Sequence, residues 1–351
     1  MEFGMQFFPD VGPDRKSAEQ YFDECLRLID LCDTGGWSHV RTVEHYFTPY
    51  GGYSPNPLLF LTAAAARTRK ARLITGAILP VFNNPLKLAG EIGMLDAISH
   101  GRVEVGFARA FLPHEFARFG ISVNESRDRF NEGLEQIRQL LEEENVSSAG
   151  RFHKYGPTTS LPRPTQKPRP PFWIAALSTA ESFATAGRLG HAVMAIPIAG
   201  SLTRELTDVY RKAWRDAGHP GNGRVMLAFH LCCHEDRETA WRIARDPLTR
   251  YLESISDAVS DWAGTSSTDY PGYDKIAETL KRETVESQVE TGSAWIGTPD
   301  DVIKTIEHCR TRFGEFEVAS LQLNFNDVSF ADAEHSARLF TEKVVPRLFA
   351  A

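Results

Sequence analysis

A histidine and an arginine stand where two predicted strands end, and both side chains could take part in chemistry. His45 follows an apolar run through Val43, and an imidazole exchanges protons near neutral pH, which suits general acid–base catalysis. Arg109 follows an apolar run through Phe107, and a guanidinium can hold a phosphate through two parallel N–H donors. Each residue also has a structural alternative, since the histidine could cap a carbonyl group and the arginine could form a surface salt bridge.

A third candidate site is a predicted helix start. Ser178 and Glu181 have the spacing of a capping box, in which each side chain satisfies a free backbone N–H group of the other residue. Such a start attracts anions, and Thr179 and Ser182 add hydroxyl groups. Plain capping is the alternative, and Glu181 would repel a phosphate that its carboxylate faced. Because Arg109 and this helix start follow adjacent predicted strands, together they favour a site for one phosphate monoester.

The segment His230-x-Cys232-Cys233-His234 contains residue types that bind metals. A strand sends alternate side chains to opposite faces, so neither face would collect a full set of ligands. We therefore predict that the protein has no metal site. The sequence also lacks the H-E-x-x-H, Walker A, G-x-S-x-G and C-x-x-C patterns.

Helix and strand patterns alternate along the chain, and such βα units favour parallel strands with right-handed crossovers. Eight strands are predicted, over residues 1–8, 38–45, 71–79, 102–108, 172–176, 192–196, 224–232 and 318–325. We predict a single domain over residues 1–351, a TIM (β/α)8 barrel with an insertion after strand seven at about 257–296. The insertion is expected to form a mobile loop beside the active site. An open doubly wound sheet is the alternative, but no G-x-G-x-x-G follows the first strand.

Composition excludes several classes of protein. The 351 residues are 42% hydrophobic and 24% charged, with a net charge of −7. The charges are interspersed, without the basic stripe that nucleic-acid binding needs, and the apolar runs are too short to span a membrane. The five cysteines are odd in number and sparse, as expected of reduced thiols, so we predict a cytoplasmic protein.

Several segments, in the same order along almost the whole chain, resemble the bacterial luciferase family of flavin-dependent monooxygenases. They are Met1–Gly4, Val43–Thr48, Leu79–Pro80, Leu95–Arg102, Gly106–Arg109, Ile296–Pro299 and Val344–Pro346. The resemblance implies a TIM barrel that takes reduced FMN from a separate flavin reductase. With dioxygen, it would oxygenate a small organic substrate, which we expect to be an apolar carbonyl or aromatic metabolite of a biosynthetic pathway.

The resemblance also assigns roles to residues. His45 matches the catalytic histidine of the family, and Arg109 matches an arginine that contacts the FMN phosphate. The remaining positions of the expected cofactor site are Thr75, Gly76, Ala77, Ala108, Ser178, Thr179, Glu181 and Ser182. The stretch from Thr75 to Ala77 corresponds to a strand end that lies against the isoalloxazine ring and that contains a non-proline cis peptide in relatives.

Two residues differ from the light-emitting α chain and argue against bioluminescence. Ala108 replaces a reactive cysteine, and Leu177 replaces a glutamate before the phosphate-site serine. The predicted insertion corresponds to the mobile loop of luciferase, where Lys281 and Arg282 would act as lid cations. Relatives commonly form dimers through helices beside the early strands, so we expect a homodimer.

Two other functions remain open from the sequence. The protein could be a deazaflavin-dependent oxidoreductase that transfers hydride and does not use dioxygen. It could also be a non-catalytic partner subunit of a heterodimer, as the luciferase β chain is. The presence of both His45 and Arg109 argues against the second alternative.

Overall fold

Parallel strands close into a barrel in this computed structural model, which describes residues 1–349 except 199, 201 and 266. The strands in the described residues are β1 (Glu2–Phe7), β2 (His39–Thr42), β3 (Arg72–Ile78), β4 (Val103–Phe107), β5 (Val146–Ala149), β6 (Lys154–Thr158), β7 (Phe172–Ala175), β8 (Ala192–Ala195), β9 (Val225–Cys233), β10 (Ala294–Gly297) and β11 (Val318–Gln322). The ring runs β1-β2-β3-β4-β7-β8-β9-β11 and returns to β1. The predicted eight-stranded TIM barrel is therefore confirmed.

Helices follow the barrel strands and cover the outside of the ring. They are α1 (Ala18–Ile29), α2 (Cys32–Gly35), α3 (Pro57–Arg67), α4 (Pro85–Ile98), α5 (Pro113–Phe119), α6 (Ser126–Glu142), α7 (Ala180–Arg188), α8 (Arg204–Asp216), α9 (Arg237–Ala258), α10 (Ile276–Leu280), α11 (Val285–Glu290), α12 (Pro299–Phe313), α13 (Phe330–Leu339) and α14 (Val345–Leu348). No helix among the described residues is both long and apolar enough to cross a bilayer.

The starts of α3, α4 and α12 are set by local sequence. Each has a proline in its first turn, where the missing N–H costs no hydrogen bond. The capping side chains before them accept from backbone N–H groups, Asn56 from Leu59 at 3.2 Å and Asn84 from Leu86 at 2.9 Å. Thr298 and Asp301 form a reciprocal capping box at the start of α12. These caps fix where the helices after β2, β3 and β10 begin.

The structure departs from the predicted alternation at three places. Strand β2 ends at Thr42, so His45 lies in the loop after the strand and not within it. An antiparallel hairpin of β5 and β6 precedes the proline-rich connector, and the period-based analysis missed it. Residues 257–296 contain two 3-10 turns, Ser260–Gly264 and Tyr273–Lys275, together with α10, α11 and most of β10. The polar segment after strand seven therefore has local structure of its own.

Candidate active site

A cavity of about 340 Å³ opens at the carboxyl ends of the barrel strands. Loops after β1, β2, β3, β4, β7 and β8 form its walls, and the segment between α9 and α10 covers one side. The structure brings most of the predicted site residues together here, since the lining includes His45, Gly76, Ala77, Ala108, Arg109, Ser178, Thr179 and Ser182. Arg109 and the start of α7 therefore face one cavity.

Two predicted cofactor-site residues do not line this cavity. Thr75 is fully buried between β3 and β4, where its hydroxyl donates to the Gly106 carbonyl at 3.0 Å and accepts from the Gly106 N–H at 2.8 Å. Glu181 is exposed and accepts from Arg188 at 2.7 Å and from Thr185 at 3.0 Å. The hydrogen bond from Arg188 is the main cause of the lowered pKa of the Glu181 carboxyl. The predicted cofactor contacts of Thr75 and Glu181 are thus not supported by their positions.

The capping box predicted for Ser178 is wrong. Helix α7 begins one residue later, with Thr179 as its N-cap and without a capping hydrogen bond from that side chain. The hydroxyl groups of Thr179 and Ser182 lie 2.7 Å apart. Since Glu181 turns to Arg188, its carboxylate does not face the cavity side of the helix start. The helix start, whose free N–H groups favour anions, therefore lacks the acidic neighbour that the sequence suggested.

Arg109 lies half-buried at the cavity rim. One of its guanidinium nitrogens donates to the Asp269 carbonyl at 3.2 Å, and the guanidinium lies 4.7 Å from the centre of the Tyr270 ring. The Tyr270 hydroxyl donates to the Ala110 carbonyl at 2.8 Å. These contacts connect the segment after α9 to the loop that carries Arg109. None of them is a carboxylate partner, so the guanidinium keeps charge available for a phosphate.

His45 is paired with a buried carboxylate that the sequence analysis missed. Its Nδ1 lies 3.0 Å from Oε1 of Glu115 on α5, and the same oxygen accepts from the Tyr46 N–H at 2.9 Å. Glu115 is fully buried. Because an ionised carboxylate can only accept hydrogen bonds, this pairing assigns the ring hydrogen to Nδ1, and Nε2 is the ring nitrogen outside the pair. Nucleophile-activating and proton-transferring histidines are commonly oriented in this way.

The ring of His45 is held among aromatic side chains. Its centroid lies 5.7 Å from that of Phe8, 5.5 Å from that of Tyr50 and 5.9 Å from that of Phe111. Gly51 packs against the histidine with a φ of +81°, and any side chain at this position would collide with the His45 Cβ atom. The imidazole is therefore fixed both by its carboxylate and by shape.

Glu44, in the loop after β2, also lines the cavity. Its carboxylate accepts from the Leu79 N–H at 3.0 Å, from the Asn83 amide at 2.8 Å and from the Tyr46 hydroxyl. Burial raises the pKa of the Glu44 carboxyl to about 7 against these hydrogen bonds. Glu44 thus orders the loop after β3.

The cavity floor contains Arg41, Gln6 and the Gly76–Ala77 peptide, which is cis as the resemblance implies. Arg41 donates to the Gly76 carbonyl at 2.8 Å and to the Gln6 side-chain oxygen. Only glycine fits at position 76, because a Cβ atom there would overlap the Arg41 guanidinium. A signal for Arg41 exists in the sequence, since it interrupts the otherwise uncharged run from Val40 to Val43.

The cover of the cavity is anchored at several points. The Trp262 indole donates to the Phe111 carbonyl at 2.8 Å, and the Asp269 carboxylate accepts from the Arg127 N–H at 3.2 Å. Lys275 lines the cavity. The predicted lid cations, Lys281 and Arg282, are exposed and do not contribute to the cavity lining, because they follow α10.

The histidine and cysteines after position 229 are buried on β9. Burial lowers the pKa of His230 to about 3 and raises the pKa of Cys232 and of Cys233 to about 12. At the end of this strand, His234, Glu235 and His335 bring ligand atoms within 4.8 Å of one another at a largely exposed position. His234 Nδ1 already accepts from the Asp236 N–H at 3.0 Å.

Comparison with known proteins agrees with this geometry. The profile of the family described as luciferase-like monooxygenase matches residues 1–314. The chain is 34% identical to the oxygenase component of the flavin-dependent trigonelline monooxygenase of Acinetobacter baylyi over 178 residues, 50% of this chain and 49% of that protein. It superposes on monooxygenase RslO1 from Streptomyces bottropensis with a TM-score of 0.87 and 42% identity, covering 99% of this chain and 100% of that one.

A more distant structure shares the fold. It is the oxygenating constituent of 3,6-diketocamphane monooxygenase from Pseudomonas putida, a type II Baeyer–Villiger enzyme in complex with FMN. The TM-score is 0.82 at 23% identity, over 99% of this chain and 98% of that one. The resemblance to the luciferase family that was found in the sequence is thus confirmed by the family profile, by the related sequence and by the solved structures.

Proposed function

Because the chain belongs to the luciferase-like monooxygenases, which are flavin-dependent oxidoreductases, we propose that it is the oxygenase component of a two-component system that uses reduced FMN and dioxygen. The observation that carries this proposal is the single cavity shared by Arg109, the start of α7 and His45. An anion site and a proton-transferring residue at the two sides of one apolar cavity suit a phosphorylated redox cofactor.

The residues present fit FMN. The phosphate would be held by the Arg109 guanidinium, by the backbone at the start of α7 and by the hydroxyl groups of Ser178, Thr179 and Ser182. Reduced FMN supplies the electrons that activate dioxygen. The FMN-bound state of the Pseudomonas putida protein, which has the same fold, supports FMN as the cofactor.

The protein's own contribution is positioning, exclusion of water and movement of a proton. Ala77, Ala108, Ile196 and Met194 offer apolar surface for a flat ring, and Tyr270, whose ring packs on that of Trp262, lines the cavity from the cover. His45 Nε2 would donate or accept the proton, while Glu115 keeps the imidazole in the orientation that this transfer requires. The intact pair of His45 and Glu115 favours a catalytic chain over a non-catalytic partner subunit.

The substrate proposed is a small apolar carbonyl or aromatic metabolite, of the kind found in biosynthetic pathways. Support comes from the aromatic wall beside His45, formed by Phe8, Tyr50 and Phe111. Such side chains offer apolar faces on which a flat apolar ligand can pack. We further propose a cytoplasmic location, because the five cysteines are free and buried.

Two protein partners are part of the proposal. A separate flavin reductase would supply reduced FMN, in line with the trigonelline monooxygenase, whose matched protein is an oxygenase component. A second copy would pack on α3 and α4, where Leu59 is 74% exposed, Met94 57% and Ile98 39%. Light scattering should give the mass of a dimer, and the double variant Leu59→Glu/Met94→Glu should give a monomer. A wild-type monomer would contradict the dimer.

The experiment that tests the function is an anaerobic titration of the protein with reduced FMN, followed by dioxygen, reductase and a panel of carbonyl and aromatic compounds. We expect saturable binding and incorporation of one atom of ¹⁸O from ¹⁸O₂ into a product. A parallel titration with the reduced deazaflavin F420 tests the rival cofactor. Binding of the deazaflavin without binding of reduced FMN would refute the proposal. His45→Ala should lower turnover by roughly 10²- to 10⁴-fold while flavin affinity changes little.

A further inference from the structure

Arg41 is a buried cation without an anionic partner. It is 6% exposed, and no carboxylate of the described residues lies within 4.0 Å of its guanidinium. Its Nε atom has no hydrogen-bond partner among those residues. Two other nitrogens donate to neutral oxygens, those of Gly76 and Gln6. Removing a charge from water is costly unless an opposite charge compensates it, so a buried arginine in this state calls for an anion.

The acceptors around Arg41 are fixed by a chain of hydrogen bonds that leads away from the cavity. The Gln6 amide donates to the Gln322 oxygen at 3.5 Å, and the Gln322 amide donates to the Asp10 carboxyl at 3.2 Å. The Gln6 oxygen is thereby turned toward Arg41. Asp10 is separated from Arg41 by both glutamines, so its carboxyl forms no ion pair with the guanidinium.

The charges of the side chains around the cavity also favour an anionic ligand. Among the described lining residues, Arg41, Arg109 and Lys275 are cationic, and Glu44 is the acidic side chain. Glu44 is occupied by the Leu79 N–H, Asn83 and Tyr46. If Arg109 takes the phosphate at the rim, Arg41 remains as the cation of the floor, close to the Gly76–Ala77 peptide.

We propose that Arg41 binds a planar, delocalised organic anion on the floor of the cavity. A guanidinium fork matches an O–C–O or N–C–O group, and its charge acts strongly where water is excluded. The inference rests on the proposed function and deepens it, because this anion is chemically distinct from the phosphate. It has two possible sources: the pyrimidine edge of reduced FMN when that ring is deprotonated, or a substrate that is a carboxylate, enolate or phenolate.

The first arm of the test is a spectroscopic pH titration of bound reduced FMN, under anaerobic conditions, in wild type, Arg41→Met and Arg41→Lys. Lys275→Met is the matched control, since it removes a cavity cation from the cover instead of the floor. If the ring is the anion, Arg41→Met should raise the pH midpoint of ring deprotonation by roughly one unit, a tenfold loss in preference for the anionic ring. Arg41→Lys should restore much of the wild-type value, and the control should move it little.

The second arm measures binding of benzoate and of its neutral analogue benzamide, by calorimetry, to the FMN-loaded and the FMN-free protein. If a substrate supplies the anion, Arg41→Met should weaken benzoate by roughly tenfold or more and leave benzamide unchanged. Unchanged midpoints together with unchanged benzoate affinity would overturn the role of Arg41. Failure of the wild type to bind reduced FMN would instead refute the proposed function. In that case the benzoate measurement on the FMN-free protein would still test whether Arg41 binds an anion.

Discussion

The Glu115 carboxylate lies 3.0 Å from His45 Nδ1 across 70 positions of sequence, and it joins the loop after β2 to helix α5. The same oxygen accepts the Tyr46 N–H, so one buried group fixes both the imidazole and the backbone that carries it. Glu115 does not line the cavity, and it would act on the reaction through His45. It is a positioning residue in this arrangement.

We predict that Glu115→Gln lowers kcat by roughly tenfold or more with little change in the dissociation constant of reduced FMN, because the amide keeps an acceptor but loses the charge that stabilises a protonated imidazole. Adding Glu115→Gln to His45→Ala should cost little further activity. Additive losses in the double variant would show that the two residues act independently.

Arg109 should discriminate between cofactors by their phosphate. Arg109→Met is expected to weaken reduced FMN by roughly ten- to a hundredfold and to leave the affinity for reduced riboflavin almost unchanged, because only FMN carries the phosphate. Lys281→Met is the matched control, since Lys281 is exposed and does not line the cavity. Anaerobic fluorescence titration gives both affinities. Equal weakening of the two flavins would place the phosphate elsewhere.

Sequence reasoning found the barrel because the βα alternation is a local signal repeated along the chain. It found His45, Arg109 and the start of α7 because strand ends meet at one face of such a barrel. It missed Glu115 because α5 is a short helix without a long periodic pattern of apolar residues. In addition, the sequence around His45 gives no sign of a partner that lies 70 positions away.

Another error has an equally physical cause. The capping box was assigned to Ser178 and Glu181 from their spacing alone, whereas Arg188, two turns further along α7, takes the Glu181 carboxylate. Contacts between residues that are distant in sequence decide where a helix begins and which way its side chains turn. A rule based on residue spacing takes account only of interactions between sequence neighbours.

Stability should depend on pH through Asp10. Burial raises the pKa of its carboxyl from 3.8 to about 7, even though Asn326 and Gln322 donate hydrogen bonds to it. Between these values the folded protein holds a proton that the unfolded chain has released, so the free energy of unfolding falls as pH rises from about 4 to about 7.

Asp10→Asn removes this titration. Relative to wild type, the variant should gain a few kcal/mol of unfolding free energy between about pH 4 and pH 8, since each pKa unit is worth about 1.4 kcal/mol. Urea unfolding at several pH values measures the difference. Asp14→Asn, a change at an exposed carboxylate of the same loop, should show no such trend. A parallel pH dependence of wild type and Asp10→Asn would contradict the assignment.

The cover of the cavity should depend on Asp269. Its carboxylate accepts from the Arg127 N–H at 3.2 Å and from the Ser126 hydroxyl at 3.4 Å, and its carbonyl accepts from Arg109 at 3.2 Å. Asp269→Ala removes the side-chain bonds and keeps the carbonyl, so it loosens the cover without removing Arg109. The loss of global stability should be small, about 1 kcal/mol, because the ion pair with Arg127 is partly exposed.

Local opening should nevertheless increase. Hydrogen exchange of residues 267–280 should accelerate in Asp269→Ala, and bound reduced FMN should yield more hydrogen peroxide per turnover, because water reaches a cavity that the cover normally shields. Asp261→Asn, at an exposed position of the same segment, serves as the control. If exchange accelerates while the yield of peroxide stays at the wild-type value, the segment does not protect the reaction from water, and its role is limited to holding Arg109.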